Sequence, residues 1–379
     1  MPNRINVRSK RSIEDKAQFS RAIRINNLIL QSGTTAIDIN GNILGENAGD
    51  QVKAIMSIAE KSVAAADGLI SNIFRARLYV KEKSNIPIAE KTFRNFFGTQ
   101  CPVTTTFEIC GLTRPQQLVE IELEGLSDPV STKQWKKNPT SDNHSNALKI
   151  GSKIFIPGYL AKGDTLSEKL GDVRDHLRKN LNQFGAKSPD IISIRFYCSE
   201  TKTLWEKSRL VAQLCNLEAP VVSFVGVPTP DTMIVEAEAI IDKEIQRNNT
   251  PHPILDSFSE SVCIDEDIYL SNVYPVDTFG KIIDPGNWSS QRNVCTEHLQ
   301  SVLSRVNATL EDVIVRRYLT VATVEKTNYE EGPAWFESTK PAALGCRISH
   351  HAIDKACISL DTHAIRGAGN DIVQRTISE

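Results

Sequence analysis

Aromatic residues are scarce, at 6% of 379 residues, with only 4 Trp and 7 Tyr. No basic stripe carries interleaved aromatics, so the chain lacks what a nucleic-acid groove needs. A surplus of one charge is missing too. The 44 Lys and Arg stand against 46 Asp and Glu, a net charge of −2 at pH 7. That balance gives no electrostatic reason to expect nucleic acid or an anionic membrane as partner. No apolar run approaches the ~18–20 residues of a membrane span, and the polar opening MPNRINVRSKRSIEDK has no signal-peptide core. The 8 Cys include no Cys-x-x-Cys and are scattered through apolar segments. They are expected to be reduced, mostly buried thiols rather than disulfides or a zinc site. No glycine-rich phosphate loop, Gly-x-Ser-x-Gly elbow or His-Glu-x-x-His is found. These absences leave a cytoplasmic globular protein with a small-molecule partner and no cofactor or metal. The length suggests two or three domains.

What is present is repetition. Arg-x-Tyr occurs in strand-like runs at Arg77 and Tyr79, Arg195 and Tyr197, and Arg316 and Tyr318, at steps of 118 and 121 residues. A Pro opening another strand-like run recurs at Pro102, Pro220 and Pro341 with the same steps. Two markers with one spacing argue for a unit of about 120 residues.

The element pattern repeats in step. RAIRINNLILQSG and TTAIDINGNILG read as a hairpin with Asn40-Gly41 as its turn. Residues 50–66 carry a helical stripe through Val52, Ile55, Met56, Ala59 and Val63. NIFRARLYV alternates as a strand, residues 85–97 read as a second helix, and VTTTFEIC and QLVEIELEGL close the unit. The second unit gives KIFIPG, a helix near 166–184, ISIRFYC, a helix near 201–215, then PVVSFVGV and TMIVEAEAII. The third gives DIYLSNV, a helix near 290–306, VIVRRYLTV, a weaker helical stretch to about Phe336, then AALGCRIS and ACISLDTHAI. Each unit is β-β-α-β-α-β-β or a trimmed form of it, an α+β class. The polar, Pro-containing stretches 127–146 and 243–260 read as linkers, giving units at 1–127, 146–243 and 261–379.

In the first unit, FSRAIRINNLILQSG, the NG turn, the long helix, RARLYV, FRNFFG, PVTTTFEICGL and LVEIELEGL together resemble the RidA/YjgF family of imine and enamine deaminases, over roughly residues 17–127. The second unit resembles it through APVVSFVGV and IVEAEAII, the third mainly by register. The resemblance implies a chorismate-mutase-like fold. It also implies that three RidA-like units form an intramolecular pseudo-trimer, a monomer with clefts between units. The implied activity is that of a hydrolase or lyase acting on a small carboxylated or imine/enamine metabolite. Chorismate-cleaving enzymes, which also use RidA-like repeats, are the second implied class, through Cys346-Arg347. A non-catalytic binding or scaffolding pseudo-trimer is the third reading.

The family's carboxylate-clamping Arg falls on Thr104, Val222 and Ala343, so no unit keeps it. Its Tyr falls on Phe19. Its Ser-Gly turn is Ser32-Gly33, then Pro157-Gly158, then Ser271-Asn272. Its Glu is kept as Glu120 and Glu236 and becomes Ser359. Glu120 and Glu236 are thus the implied proton carriers, the Thr104–Thr106 strand the implied holder of water, and Arg77, Arg195 or Arg316 the replacement clamp. Residues two apart on a strand share a face, so each Arg-x-Tyr presents a cation and a phenol together. The bland alternative is that these pairs are scaffold positions, and that the glutamates lie on a solvated sheet face. His350, His351 and His363 cluster with Cys346 near the C-terminus. Adjacent residues point to opposite faces of a strand, which argues against a joint nucleophilic or metal role.

Overall fold

A computed structural model describes residues 3–9, 11–128, 133–135 (backbone only), 147–249, 257–325 and 333–377. The first sheet uses β1 (Arg4–Arg8), β2 (Ala22–Ile25), β3 (Leu28–Thr35), β4 (Ile73–Lys81), β5 (Val103–Ile109) and β6 (Val119–Leu126), with helices α1 (Ser12–Lys16), α2 (Ala48–Ala65) and α3 (Ile86–Phe97). The second uses β7 (Lys133–Trp135), β8 (Leu148–Ile150), β9 (Lys153–Leu160), β10 (Ile191–Cys198), β11 (Val221–Gly226) and β12 (Met233–Ile240), with α4 (Leu166–Asn182), α5 (Thr201–Glu206) and α6 (Ser208–Cys215). The third uses β13 (Gln246–Asn248), β14 (Ser261–Ile264), β15 (Asp267–Leu270), β16 (Val313–Val321), β17 (Ala342–Ile348) and β18 (Ile358–Ile365), with α7 (Trp288–Arg305). The last strand, β19 (Ile372–Thr376), returns to the first sheet and pairs parallel with β1.

Local chemistry explains the main elements. The Asn47 side chain accepts the Asp50 N–H at the start of α2, which buries Val52, Ile55, Met56, Ala59 and Val63. At α4 a Thr165–Glu168 capping box closes the first turn. Strands β4 and β16 are covered on both faces and read as nearly continuous buried runs. Their neighbours β5 and β17 run parallel to them.

The strand orders are β19-β1-β2-β3-β6-β4-β5, β7-β8-β9-β12-β10-β11 and β13-β14-β15-β18-β16-β17. The last five strands in each order thus repeat one arrangement, a hairpin followed by the final, central and parallel edge strands. The edges meet in rotation: β5 packs on β9, β11 on β15, and β17 on β3.

Several expectations change in detail. The β2–β3 hairpin turns at Asn26, which has φ 52°, while Asn40-Gly41 closes a smaller loop bridged at Ile37 and Ile43. An NG turn marks a reversal but not which strands it joins. The helix read over 201–215 breaks at Lys207 into α5 and α6. In the helical stretch read before Phe336, residues 326–332 lie outside the described residues, and 335–339 form turns. Much of the two linkers (129–132, 136–146 and 250–256) also lies outside the described residues, but each linker holds a three-residue strand. β7 pairs with β8 and β13 with β14, each joining the sheet that follows it.

Where the three sheets meet, Phe107, Tyr197, Val225, Leu319, Leu344 and Ile348 form an apolar cluster. Beside it lies a ring of buried charges. Arg77 donates through Nε to both Glu236 oxygens, at 3.0 and 3.1 Å, and through Nη1 to Glu124 at 3.2 Å. Arg195 pairs with Asp361, its Nη2 3.0 Å from Oδ1. Arg317 donates to Glu122 at 2.9 and 3.0 Å and to Asp361 at 3.0 Å. Each sheet's central cation therefore grips a carboxylate of the next sheet. Arg75 bridges Glu124 and Glu238 in the same way.

Burial opposes ionisation of Glu124 and Glu236, but the facing guanidiniums outweigh it and hold both carboxyls at about 2. Their ionised forms stabilise the fold above the ordinary carboxylate range, and that stability is lost as pH falls from about 4.5 towards 2. Arg77→Met takes from Glu236 its closest cation and leaves Glu124 with Arg75 alone, and should cost about 3–5 kcal/mol at pH 7. Denaturant unfolding should show the deficit shrinking by pH 3, where the carboxyls take up protons.

Candidate functional site

A cavity of about 560 Å³ opens at the junction of the first and third sheets. One wall is Phe19, Arg21, Gly33, Thr35 and Glu120; the facing wall is Arg316, Tyr318 and residues 343–345 of β17. The 37–41 loop and Arg114 form its rim. Arg114 Nη1 donates to the Gly41 carbonyl, and Arg11 Nη2 to the carbonyls of Ile37 and Asp38, so guanidiniums pin the loop.

The junction is fastened through Ser32. Its hydroxyl donates to the Ser20 carbonyl and accepts the Ala343 N–H at 2.9 Å. Ser271 does the same at the junction of the second and third sheets, donating to Ser259 O at 2.7 Å and accepting Val222 N–H at 2.8 Å. At the remaining junction Pro157 has no hydroxyl, and Thr105 Oγ1 instead accepts Gly158 N–H at 2.9 Å. The Ser of the Ser-Gly turn therefore ties sheets together, and the Gly beside it opens the site. A Cβ on Gly33 would lie 2.5 Å from Glu120 Oε1 and 2.9 Å from Leu344, so only glycine leaves room for that carboxyl.

Glu120 is buried, and among the described residues its Oε2 has no hydrogen-bond partner. Burial first, then the neighbouring Glu122 charge, pushes its carboxyl up to about 8, with Arg21 opposing. It is thus a neutral acid at pH 7, poised to exchange a proton near neutrality.

Arg316 faces it across the cavity. Its Cα pairs with that of Ala343 on the adjacent strand, and paired residues share a sheet face. Its guanidinium donates to the Ala17 and Gln18 carbonyls and to Tyr318 OH at 3.2 Å, and lies 4.6 Å and 4.8 Å from the Tyr318 and Phe336 ring centroids. The residue is 3% exposed, its Nε has no acceptor, and no carboxylate within the described residues lies within ion-pair distance. Among the described residues, this desolvated cation is held by the Tyr318 hydroxyl, aromatic faces and carbonyl dipoles.

Of the residues singled out from sequence, Phe19, Glu120, Arg316 and Tyr318 come together here. The others do not. Arg77, Tyr79, Tyr197 and Glu236 are buried in the axial ring and cluster with Arg195 half-buried beside them, and Tyr79 OH donates to Glu122 at 2.9 Å. Thr104 and Thr106 lie on β5 at the β5–β9 junction, Thr104 Oγ1 donating to the Pro102 carbonyl at 2.8 Å.

Two registers differ from the sequence alignment. Arg77, Arg195 and Arg317 oppose Glu122, Glu236 and Asp361, so the third ring cation is Arg317, and Arg316 faces the other way. Glu120 corresponds to Ile234 and Ser359, opposite Tyr79, Tyr197 and Leu319. The Arg316-Arg317 doublet hid a one-residue slip that changes face, and the alternating glutamates hid a two-residue slip that does not. Sequence reasoning missed Arg21, Glu122, Arg317 and Asp361, although that doublet was their signal.

His351 is buried edge-on to Tyr274, and burial lowers its ring to about 3. His363 stacks on Tyr269 and meets Asp267 at 3.2 Å. Cys346 lies in the axial cluster, its thiol pushed up by burial. The β11–β15 junction is filled by Trp205, Phe224, Phe258 and Tyr274.

The molecule is a mixed α/β protein of three sheets and few helices. Its fold is shared with a crystal structure of a chorismatase, at TM-score 0.55 and 10% identity over 78% of this chain and 93% of that one. Residues 9–124 match the family described as Endoribonuclease L-PSP. A RutC family protein, BU371 of Buchnera aphidicola subsp. Acyrthosiphon pisum (strain APS), is 24% identical over 112 residues, 29% of this chain and 85% of its own. Rv2704 of Mycobacterium tuberculosis, a YjgF/YER057c/UK114 family member, is 28% identical over 33% of this chain and 99% of its own, at TM-score 0.30. Residues 9–124 are thus similar to the RidA/YjgF family. Among the described residues, no helix is long and apolar enough to cross a membrane.

Because the Glu120 carboxyl is raised above its unfolded value, ionising it in the fold costs stability as pH climbs from the ordinary range towards 8. Glu120→Gln should therefore raise the melting temperature at pH 8.5 and leave it nearly unchanged at pH 5. Parallel thermal melts at the two pH values measure this directly.

Proposed function

We propose that the chain is three fused RidA-like units, 1–127, 146–243 and 261–379, forming an intramolecular pseudo-trimer that acts on a small carboxylated imine or enamine at its first–third junction. The repeated strand order and the rotating edge contacts support the arrangement. The observation that carries the activity is a buried cation, without a carboxylate partner among the described residues, facing a neutral carboxylic acid across one cavity.

The chemistry follows from those two groups. A substrate carboxylate supplies Arg316 with the counter-charge that no described residue gives it, a charge-assisted pairing favoured in a desolvated site. Glu120 gives its proton to the imine nitrogen as water adds to the C=N carbon. The resulting carboxylate takes a proton from the added water, leaving a carbinolamine. Collapse of the carbinolamine expels ammonia and leaves the keto acid, with Glu120 protonated again. Phe19 and Tyr318 wall the site, and Ala343 and Gly345 leave its floor low. A second reading, a chorismatase-like enzyme, is favoured by the fold likeness over 78% of the chain and by a cavity roomier than a three- or four-carbon imine needs.

Keto-acid release from 2-iminobutyrate generated in situ, with semicarbazide as competing trap, is expected to accelerate with the protein. Glu120→Gln should lower kcat by about 10²–10⁴. Arg316→Met should raise KM by about 10–100-fold, the loss of a charged hydrogen-bond partner. Arg195→Ala should lower stability without that KM change. Turnover of chorismate in place of the imine would select the second reading. Full activity in Glu120→Gln would discard the proton-carrier role.

A further inference from the structure

Glu120 and Glu122 stand two apart on β6, so both carboxylates lie on one sheet face. Glu122 belongs to the axial ring. It receives Arg317 Nε at 2.9 and 3.0 Å from the third sheet and Tyr79 OH at 2.9 Å from β4. Glu120 belongs to the cavity. Its Oε1 presses on Gly33 and its Oε2 has no partner. Both residues are buried, so solvent screens little between them.

The other groups facing Glu120 leave that neighbour dominant. Thr35 on β3 and Tyr79 on β4 are its cross-strand partners, and neither carries charge at neutral pH. Arg21, ahead of β2, has its Nε committed to Glu14 at 2.8 Å. From β17 come Leu344 and the neutral Cys346 thiol. Across the cavity stand Arg316 and Tyr318.

We propose that Arg317 is a positioning residue for the cavity: it holds the Glu122 carboxylate in place beside Glu120, where, together with burial, it favours the proton-donating form of Glu120. The inference rests on the reading of Glu120 as proton carrier, and it assigns the axial ring a chemical duty besides holding sheets together. The duty falls at one junction. At the Glu120 register beside Glu236 stands Ile234, and beside Asp361 stands Ser359, so the other ring carboxylates have no acid to tune.

The test reads the Glu120 titration directly, by NMR of protein carrying ¹³C at the glutamate carboxyl, assigned through Glu120→Gln. Wild type should titrate near 8. Glu122→Gln keeps an oxygen for Arg317 and Tyr79 and should increase Glu120 acidity tenfold or more. Arg317→Met removes both hydrogen bonds that hold the Glu122 carboxylate in place beside Glu120, and should shift the titration in the same direction. Arg317→Lys keeps the charge and should leave the titration within twofold. So should Glu124→Gln, one step further along the face and held by Arg75 and Arg77. An unmoved titration in Glu122→Gln overturns the proposal, as does an equal shift in Glu124→Gln. An unmoved titration in Arg317→Met removes Arg317 from it. The titration needs no turnover, so failure of the proposed reaction is seen separately, in the keto-acid assay. Where activity is present, the alkaline limb of the kcat profile should move down with the titration in Glu122→Gln.

Discussion

Charges buried in a protein must be answered by charges from somewhere, and here each sheet answers for its neighbour. Arg77, Arg195 and Arg317 occupy one register on three central strands, and each is gripped by a carboxylate that another sheet supplies. Separating any two sheets would leave a desolvated guanidinium and a desolvated carboxylate apart, which costs far more than the pair contributes when intact. The ring therefore acts less as a source of net stability than as a constraint on relative placement. Ordinary apolar contacts such as Phe107 stacked on Tyr197 supply the cohesion, with ring centroids 4.1 Å apart. Because placement is fixed at the axis, the walls of the outer junctions are fixed as well.

Given that frame, what differs between junctions is side-chain volume at two facing positions. Gly33 opposite Glu120 leaves a carboxyl in an open cavity. Gly158 stands with Ile234, and a Cβ there would already meet Ile234 at 2.9 Å and Thr105 at 2.6 Å. Asn272 stands with Ser359, its Oδ1 taking the Phe224 N–H at 2.7 Å. The Ser-Gly turn position beside each hairpin is thus spent three ways: on an acid, on apolar filling, and on an extra tie between sheets. The aromatics Trp205, Phe224, Phe258 and Tyr274 complete the closure of that last junction.

The main helices and strands were legible in the sequence because their signals are local. Helical stripes such as Val52 to Val63, the buried runs of β4 and β16, and the spacing of the three Arg-x-Tyr sites survive without any knowledge of packing. Register was not legible, for a physical reason. Arg316 and Arg317 are chemically alike but face opposite sides of β16, and only the partner across the sheet shows which belongs to the axis. Glu120 and Glu122 share a face, so alternation cannot tell cavity from ring. The strands β7, β13 and β19 were hidden for a third reason. Three to five residues at a sheet edge need little hydrophobic pattern, and their pairing energy comes from a hairpin or strand distant in sequence.

On the proposed reading, Ala343 is a place where such a frame tolerates change at a working position. The resemblance places a carboxylate-binding Arg there, on the edge strand β17. An Arg one strand over, at the paired position 316, stays on the same face and reaches the same cavity. The move shifts the cation's origin by one strand spacing, about 4.8 Å, and changes its backing. At 316 it rests against Tyr318 and Phe336 and the carbonyls of Ala17 and Gln18. Those partners stabilise a cation without neutralising it, whereas a carboxylate neighbour would have done both. The axial guanidiniums show what the alternative looks like: fully paired and unavailable. On the proposed reading, whether a buried arginine serves the scaffold or the site follows from its counter-ion, and among the described residues no carboxylate answers Arg316 on the cavity wall.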